Sequence, residues 1–247
     1  MKNFKKFLLT MAMTMALGTS AFAASGFEFI LNVPFGLSVG FESIDWGMLP
    51  NENGVTQRKI DDASPGIGFD IGVAAQLGYM FQVKDGFGIS VLGELGYSHD
   101  TISGTYGKLE GGDGISFSGI KAIYTLEQFQ IGLLPKFNIG AFSIGIGGGV
   151  KIPISAKERV KIDDLGLDQK DKFKPEDAVQ GYVKLTFDYS LFFTDNLAMN
   201  FGLYLGYDTP LSATAADASY FTALFERVTV HDFNVGLQLG FRFGPKA

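Results

Sequence analysis

The chain has no cysteine. Disulfides therefore hold nothing together here, whichever compartment it occupies. A lipid anchor of the lipoprotein kind, which needs a cysteine after the leader, is excluded too. Beyond the first two dozen residues there is no long apolar run. A membrane-spanning helix needs about 20 apolar residues, so no helical span is expected. Cations are in the minority, 20 lysines and arginines against 26 acids. That deficit argues against nucleic acid as a partner, which calls for a basic face. No Pro/Ser-rich linker or low-complexity tract divides the chain. What is abundant is glycine, at 33 residues, alongside a hydrophobic content of 46%. A soluble helical protein would not carry so much glycine.

The N-terminus has the order of a secretory leader. MKNFKK is basic, FLLTMAMTMALG is apolar, and Ala21 and Ala23 set an A-x-A cleavage pattern. Residues 1–23 are read as a cleaved signal peptide and 24–247 as one mature domain. A membrane anchor is the alternative, but the apolar stretch of twelve residues is too short to span. Lys2, Lys5 and Lys6 leave with the leader. Seventeen of the 20 basic residues then remain against 26 acids, a net charge of −9.

The stretch FEFILNVPFGLSVGF, Phe27 to Phe41, is apolar at every odd position. Its even positions include Glu28, Asn32, Gly36, Ser38 and Gly40. Period-2 alternation predicts a strand with one apolar face. The same alternation recurs over about 67–83, 87–99, 122–138, 142–154, 179–193, 197–208 and 232–243. Short turns at 84–86, 138–140 and 194–196 join three pairs of runs. Connections of roughly twenty residues, near 42–66, 100–121, 155–177 and 208–228, join the others and are expected to be loops. Around Tyr124, Leu126 and Glu127 the phase looks reversed, which predicts a bulge or a strand leaving the apolar zone.

Eight strands joined in this way predict an all-β fold: an eight-stranded antiparallel up-and-down transmembrane β-barrel with all four long connections at one end. Lipid offers no hydrogen bonds, so the sheet must close. The apolar face meets lipid, and the narrow interior takes glycines and charges. Phe81, Phe87, Phe137, Phe142 and Phe193 fall beside the short turns. Phe41, Phe69, Tyr97, Tyr207 and Phe233 fall at the long-connection end. Two aromatic girdles are expected at two membrane interfaces. The soluble alternative is a lipocalin-like barrel with its apolar face inward.

The inward charges Glu94, Lys151, Lys184 and Asp188 lie at similar distances from their turns and are expected to meet in the lumen. Glu28 and Arg242, near the ends of the first and last strands, are expected to pair as the barrel closes. Such charges act as structural pairs or as a gate. His99-Asp100 and His231-Asp232 sit near the long-connection rim without a serine in a base's reach, so no catalysis is expected. Asp163, Asp164, Asp168 and Asp171 do not fit a calcium-loop spacing. Tyr220, Phe221, Leu224 and Phe225 fall on one helical face, as in a short interfacial helix, with a strand extension as the alternative.

On these alternating strands and uneven connections the chain resembles the small eight-stranded bacterial outer-membrane barrels of the OmpA, OmpX and OmpW type. The resemblance implies an assembly signal in the last strand, where Asn234, Gly236, Leu239 and Phe241 have the matching spacing. The family usually ends on the aromatic residue, whereas here GPKA follows Phe243. A peptidoglycan-binding region is not expected. The resemblance also implies an outer-membrane monomer with both termini periplasmic, partnered by outer-membrane lipid and the barrel-assembly machinery. No cofactor or metal is expected. The expected role is structural or surface interaction, with an extracellular ligand or host surface met by the long connections. The alternative is a narrow pore or conduit for small or hydrophobic molecules, and a lipid-modifying enzyme stands behind both.

Overall fold

The computed structural model describes residues 25–50, 56–110, 116–173, 179–214 and 227–247. The leader and the Tyr220–Phe225 cluster lie outside them. Among the described residues eleven strands follow in chain order. They are β1 (Gly26–Pro50), β2 (Thr56–Asp62), β3 (Ser64–Lys84), β4 (Phe87–Glu110), β5 (Ser116–Leu133), β6 (Lys136–Ile139), β7 (Phe142–Ile162), β8 (Leu167–Phe173), β9 (Gln180–Thr194), β10 (Leu197–Thr214) and β11 (Arg227–Phe243). Every pairing among them is antiparallel.

The ring runs β1–β3–β4–β5–β7–β9–β10–β11 and closes from β11 to β1, in register from Phe29 opposite Phe243 to Asp45 opposite Arg227. That makes eight staves. The short strands lengthen three of them. β2 continues β3 upward beside β1, and β8 occupies the stave of β9 beside β7. β6 continues β5 past a break at Leu134-Pro135. There the Leu134 N–H donates to Leu92 O (2.8 Å) and the Ile146 N–H to Pro135 O (3.2 Å), so the missing proline donor leaves no hole in the wall.

The apolar face of each stave points outward. Ile67 is 73% exposed, Leu133 64% and Leu95 60%, and the belt continues around all eight staves. No water-soluble monomer leaves so large a contiguous apolar surface bare. Lipid is its solvent, and closure of the ring leaves no open edge within it.

Three of the four long connections are strand over most of their length, and the fourth is strand where it is described, at 208–214 and 227–228. β1 runs to Pro50, β4 to Glu110, β7 to Ile162 and β10 to Thr214. The expectation of loops there is corrected. Its physical reason is visible along β5. Its even residues point inward throughout: Gln130 and Gln128 are buried in the polar lumen, then Leu126, Tyr124, Ala122 and Ile120 are buried higher up. The orientation never changes; the solvent outside does. Beside lipid the outward positions are apolar. Beyond the girdle they meet water, so the apolar residues move inside. The bulge lies in β7, where Glu127 pairs with Ser155 but Gln128 pairs with Pro153, leaving Ile154 as the extra residue. Its inward set accordingly changes from Lys151 and Pro153 to Ala156, Glu158, Val160 and Ile162.

Glycine matters most at the closing seam. Gly36 and Gly236 are direct partners between β1 and β11. A Cβ on Gly236 would lie 2.4 Å from Phe35 O and 2.6 Å from the Tyr204 hydroxyl. Gly236→Ala is therefore expected to cost about 1–3 kcal/mol by overpacking. The measurement is the urea midpoint of the refolded barrel; an unshifted midpoint would refute the tight seam.

Candidate functional site

The lumen holds its polar residues in four tiers, because strand parity sends every second side chain inward. At the short-turn end Arg242 Nε lies 2.8 Å from Glu28 Oε1, and both side chains are inaccessible. Ser90 donates its hydroxyl to the other Glu28 oxygen. Asn138 Nδ2 donates to Ser90 Oγ (2.7 Å), and Ser143 Oγ donates to Asn138 Oδ1 (2.7 Å). This closes the barrel floor with a continuous network. The expected Glu28–Arg242 encounter occurs.

Above it Lys136 Nζ binds Asp188 Oδ2 at 2.9 Å, both 1% exposed. Gln238 and Asn200 donate to the other Asp188 oxygen. The third tier is centred on Glu94. Lys184 Nζ sits 2.6 Å from Oε1, and Tyr182 and Gln130 donate to the same oxygen at 3.1 and 3.2 Å. Gln76 donates to Oε2 at 2.8 Å. In the fourth tier Lys151 Nζ bridges Asp100 (2.9 Å) and Asp208 (2.6 Å). Asn234 Nδ2 donates to Asp208 at 3.1 Å, and the Tyr204 hydroxyl donates to Asp70. Asp232 is 1% exposed, and neither of its oxygens has a hydrogen-bond partner among the described residues. A cavity of about 50 Å³, lined by Asp70, Asp100, Lys151, Tyr204 and Asp208 among others, is the free space beside this tier.

Glu94, Lys151, Lys184 and Asp188 thus do not gather at one point. Only Glu94 and Lys184 pair. Lys151 binds Asp100, at the start of an expected connection, and Asp208, at the last polar-face position of the seventh run, and Asp188 binds Lys136. Staves of a tilted, sheared barrel place equal distances from a turn at unequal heights. Of the last-strand residues, Asn234 faces the lumen, Gly236 lies on the seam, and Leu239 and Phe241 face outward, 40% and 49% exposed.

Above the fourth tier the interior is apolar. Ile102, Tyr106, Ile120, Tyr124, Leu126, Val160, Ile162 and Val230 belong to one buried cluster. Two carboxylates enter it: Tyr124 Oη lies 2.8 Å from Glu42 Oε1 and 3.1 Å from Glu158 Oε1. Burial lifts the Glu42 carboxyl to about 7, against the pull of the Tyr124 and Tyr106 hydroxyls.

The histidines sit on the outside. His99 Nδ1 is 2.9 Å from Glu127, which also accepts from the Tyr97 hydroxyl. Ser98 points the other way and donates to Asp100 (3.0 Å). His231 stacks on Phe41 with ring centroids 5.2 Å apart. Among the described residues no group of three or more acidic, histidine or cysteine side chains is disposed to hold a metal ion.

No protein-family model matches the chain, and no curated protein matches it. Several solved structures resemble it in shape. The outer membrane protease OmpT from Escherichia coli is 11% identical with a TM-score of 0.42, over 88% of this chain and 96% of that one. OprG from Pseudomonas aeruginosa is 14% identical with a TM-score of 0.40, over 90% and 98%. Neisserial surface protein A is 10% identical with a TM-score of 0.36, over 87% and 97%. The likeness extends to the fold alone. On its own closed ring, apolar belt and polar lumen, the chain is a small membrane-spanning β-barrel.

Proposed function

We propose that this protein is a non-conducting outer-membrane barrel that acts through the wall it raises above the membrane. The observation that carries this reading is the filled interior. Four tiers of paired charges and an apolar roof stand where a passage would run, and buried ion pairs of this quality are costly to open. The strands meanwhile continue past the outer girdle, Phe41, Phe69, Tyr97, Tyr207 and Phe233, and make a stiff exposed surface. Both described chain ends fall at the short-turn end: Gly26 is opposite Met80, and Phe243 is opposite Phe29. The short-turn end is therefore periplasmic in this reading, and the tall wall faces outward.

The runner-up is a narrow conduit, favoured by the cavity beside Lys151 and by the apolar inner surface above it. Planar-bilayer recording of the refolded mature chain separates the two. No discrete conductance steps are expected from wild type. Steps that change in Glu94→Gln would make the lumen a passage and overturn the proposal.

A further inference from the structure

The outward face of β5, β7 and β8 carries a basic patch on an otherwise acidic protein. Lys121 comes from β5, Lys157, Arg159 and Lys161 from β7, and Lys170 and Lys172 from β8. All six are exposed or half-exposed. Register places like charges directly opposite one another: Lys157 faces Lys172, Arg159 faces Lys170, and Lys121 faces Lys161. Facing like charges destabilise a sheet. Two acids share the face. Arg159 grips Asp168 at 2.7 and 2.5 Å, holding its carboxyl down to about 2. Glu127, at the lower edge of β5, is engaged by Tyr97 and His99 and also feels Lys157. Three of the hairpin's other acids lie elsewhere. Glu158 points inward, and Asp163 and Asp164 form the tip. The hairpin thus sorts its charges by face and accepts repulsion to do so.

The patch continues the lipid-facing side of the same staves. On β5 the last exposed belt residue is Phe129, 52% exposed. Thr125, opposite Lys157, is four residues higher, and Lys121 is eight residues higher. At a strand rise of about 3.3 Å, reduced by barrel tilt, the cations stand roughly 10–20 Å above Phe129. On β7 the belt reaches Ile154, three residues below Lys157, which stands about 8 Å above it while the other cations stand higher. A phospholipid headgroup layer is only about 5–7 Å deep. The patch therefore looks sideways into a taller anionic headgroup.

We propose that this β5–β7–β8 face binds the phosphates of a phosphorylated glycolipid in the surrounding outer leaflet. The proposal rests on the membrane reading above and names the lipid chemistry that the wall recognises. Lys157 and Lys172 meet the lower phosphates, while Arg159, Lys161, Lys170 and Lys121 meet the upper ones.

The test uses the mature chain refolded in a neutral detergent. It is titrated separately with inner-core-phosphorylated lipopolysaccharide, with phosphatidylglycerol and with a heparin oligosaccharide, and bound species are counted by native mass spectrometry. The lipopolysaccharide is expected to bind most tightly. Its affinity is expected to fall roughly 25-fold in Lys170→Ala/Lys172→Ala, about fivefold per cation, and to survive in Lys170→Arg/Lys172→Arg. The alanine pair should remain folded, since it removes repulsion. Should it fold poorly, wild-type salt dependence decides, with at least a tenfold loss of affinity expected between 50 and 500 mM salt on the order set by screening. A flat salt profile, an unchanged affinity in the folded alanine pair, or heparin binding as tightly as lipopolysaccharide would each overturn the proposal. The membrane reading has its own check: heat-modifiable folding in phosphatidylcholine vesicles, which needs no anionic lipid.

Discussion

Lys151→Met is expected to destabilise the barrel by about 3–5 kcal/mol, the largest effect of any single lumen substitution. Lys151 is the cation that holds Asp100 and Asp208 together, at 2.9 and 2.6 Å, with both acids buried. Asp70 and Asp232 are buried in the same upper tier. Methionine keeps the volume and removes the charge, so several carboxylates are left facing one another in a medium that screens poorly. Lys184→Met should cost less. Its partner Glu94 keeps three neutral donors, Gln76, Gln130 and Tyr182, and the Lys184 side chain is 13% exposed against 8% for Lys151. Urea unfolding in lipid vesicles, followed by heat-modifiable gel migration, compares the two. Removing the stranded charge as well should restore stability, so Lys151→Met/Asp208→Asn is expected to recover much of the loss as a non-additive pair. A Lys151→Met barrel with the wild-type midpoint would show that the tier is not held by this ion pair.

The same polarity rule explains what could be read from the sequence and what could not. Alternation gave away the membrane-crossing parts of every stave, because lipid outside and polar contacts inside keep the two faces chemically distinct. Above the girdle the contrast inverts. Leu126, Tyr124 and Ala122 then occupy the inward positions that Gln128 and Gln130 hold lower down, and a reader following the apolar face takes the inversion for the end of the strand. The bulge at Ile154 adds a true phase shift to β7, so that segment read as a connection for two independent reasons.

The lumen was legible by face but not by partner. Glu28, Glu94, Lys151, Lys184, Asp188 and Arg242 all occupy inward positions, as their parity requires. Which of them meet depends on shear, a property of the closed ring that no single strand encodes. Glu28 and Arg242 were paired correctly because β1 and β11 are the two strands that closure must bring together. Asp100 and Asp208 stand at the inversion, where the apolar alternation that marks a strand gives out. Asp208 is still legible on the polar face of its run, and only the ring sets both against Lys151. Lys136 was visible on the polar face, and only the ring sets it against Asp188.

Stability is expected to fall by about 3 kcal/mol as the pH rises from below 4.5 to above 7, and Glu42 is the source. Glu42 lies one residue beyond the Phe41 girdle, 3% exposed, with Tyr124 and Glu158 against it. Gly104 also backs onto it: a Cβ there would come within 2.5 Å of Oε2. Its folded carboxyl releases a proton near 7, against an ordinary value of 4.5. Below 4.5 the carboxyl is protonated in both folded and unfolded chains and contributes no difference. Between 4.5 and 7 the folded chain holds more protons than the unfolded one, so rising pH favours unfolding. Above 7 the burial of a charged carboxylate is complete and the loss levels off. Glu42→Gln keeps a donor and an acceptor and abolishes the titration. Its urea midpoint should match wild type at pH 4 and exceed it at pH 8. Tyr124→Phe removes a hydroxyl that pulls the Glu42 carboxyl down, so it should move the transition to higher pH. Wild-type and Glu42→Gln profiles that run parallel across this range would place the titrating group elsewhere. A step confined to wild type would identify the carboxyl pair beneath the apolar roof as the barrel's pH-sensitive joint.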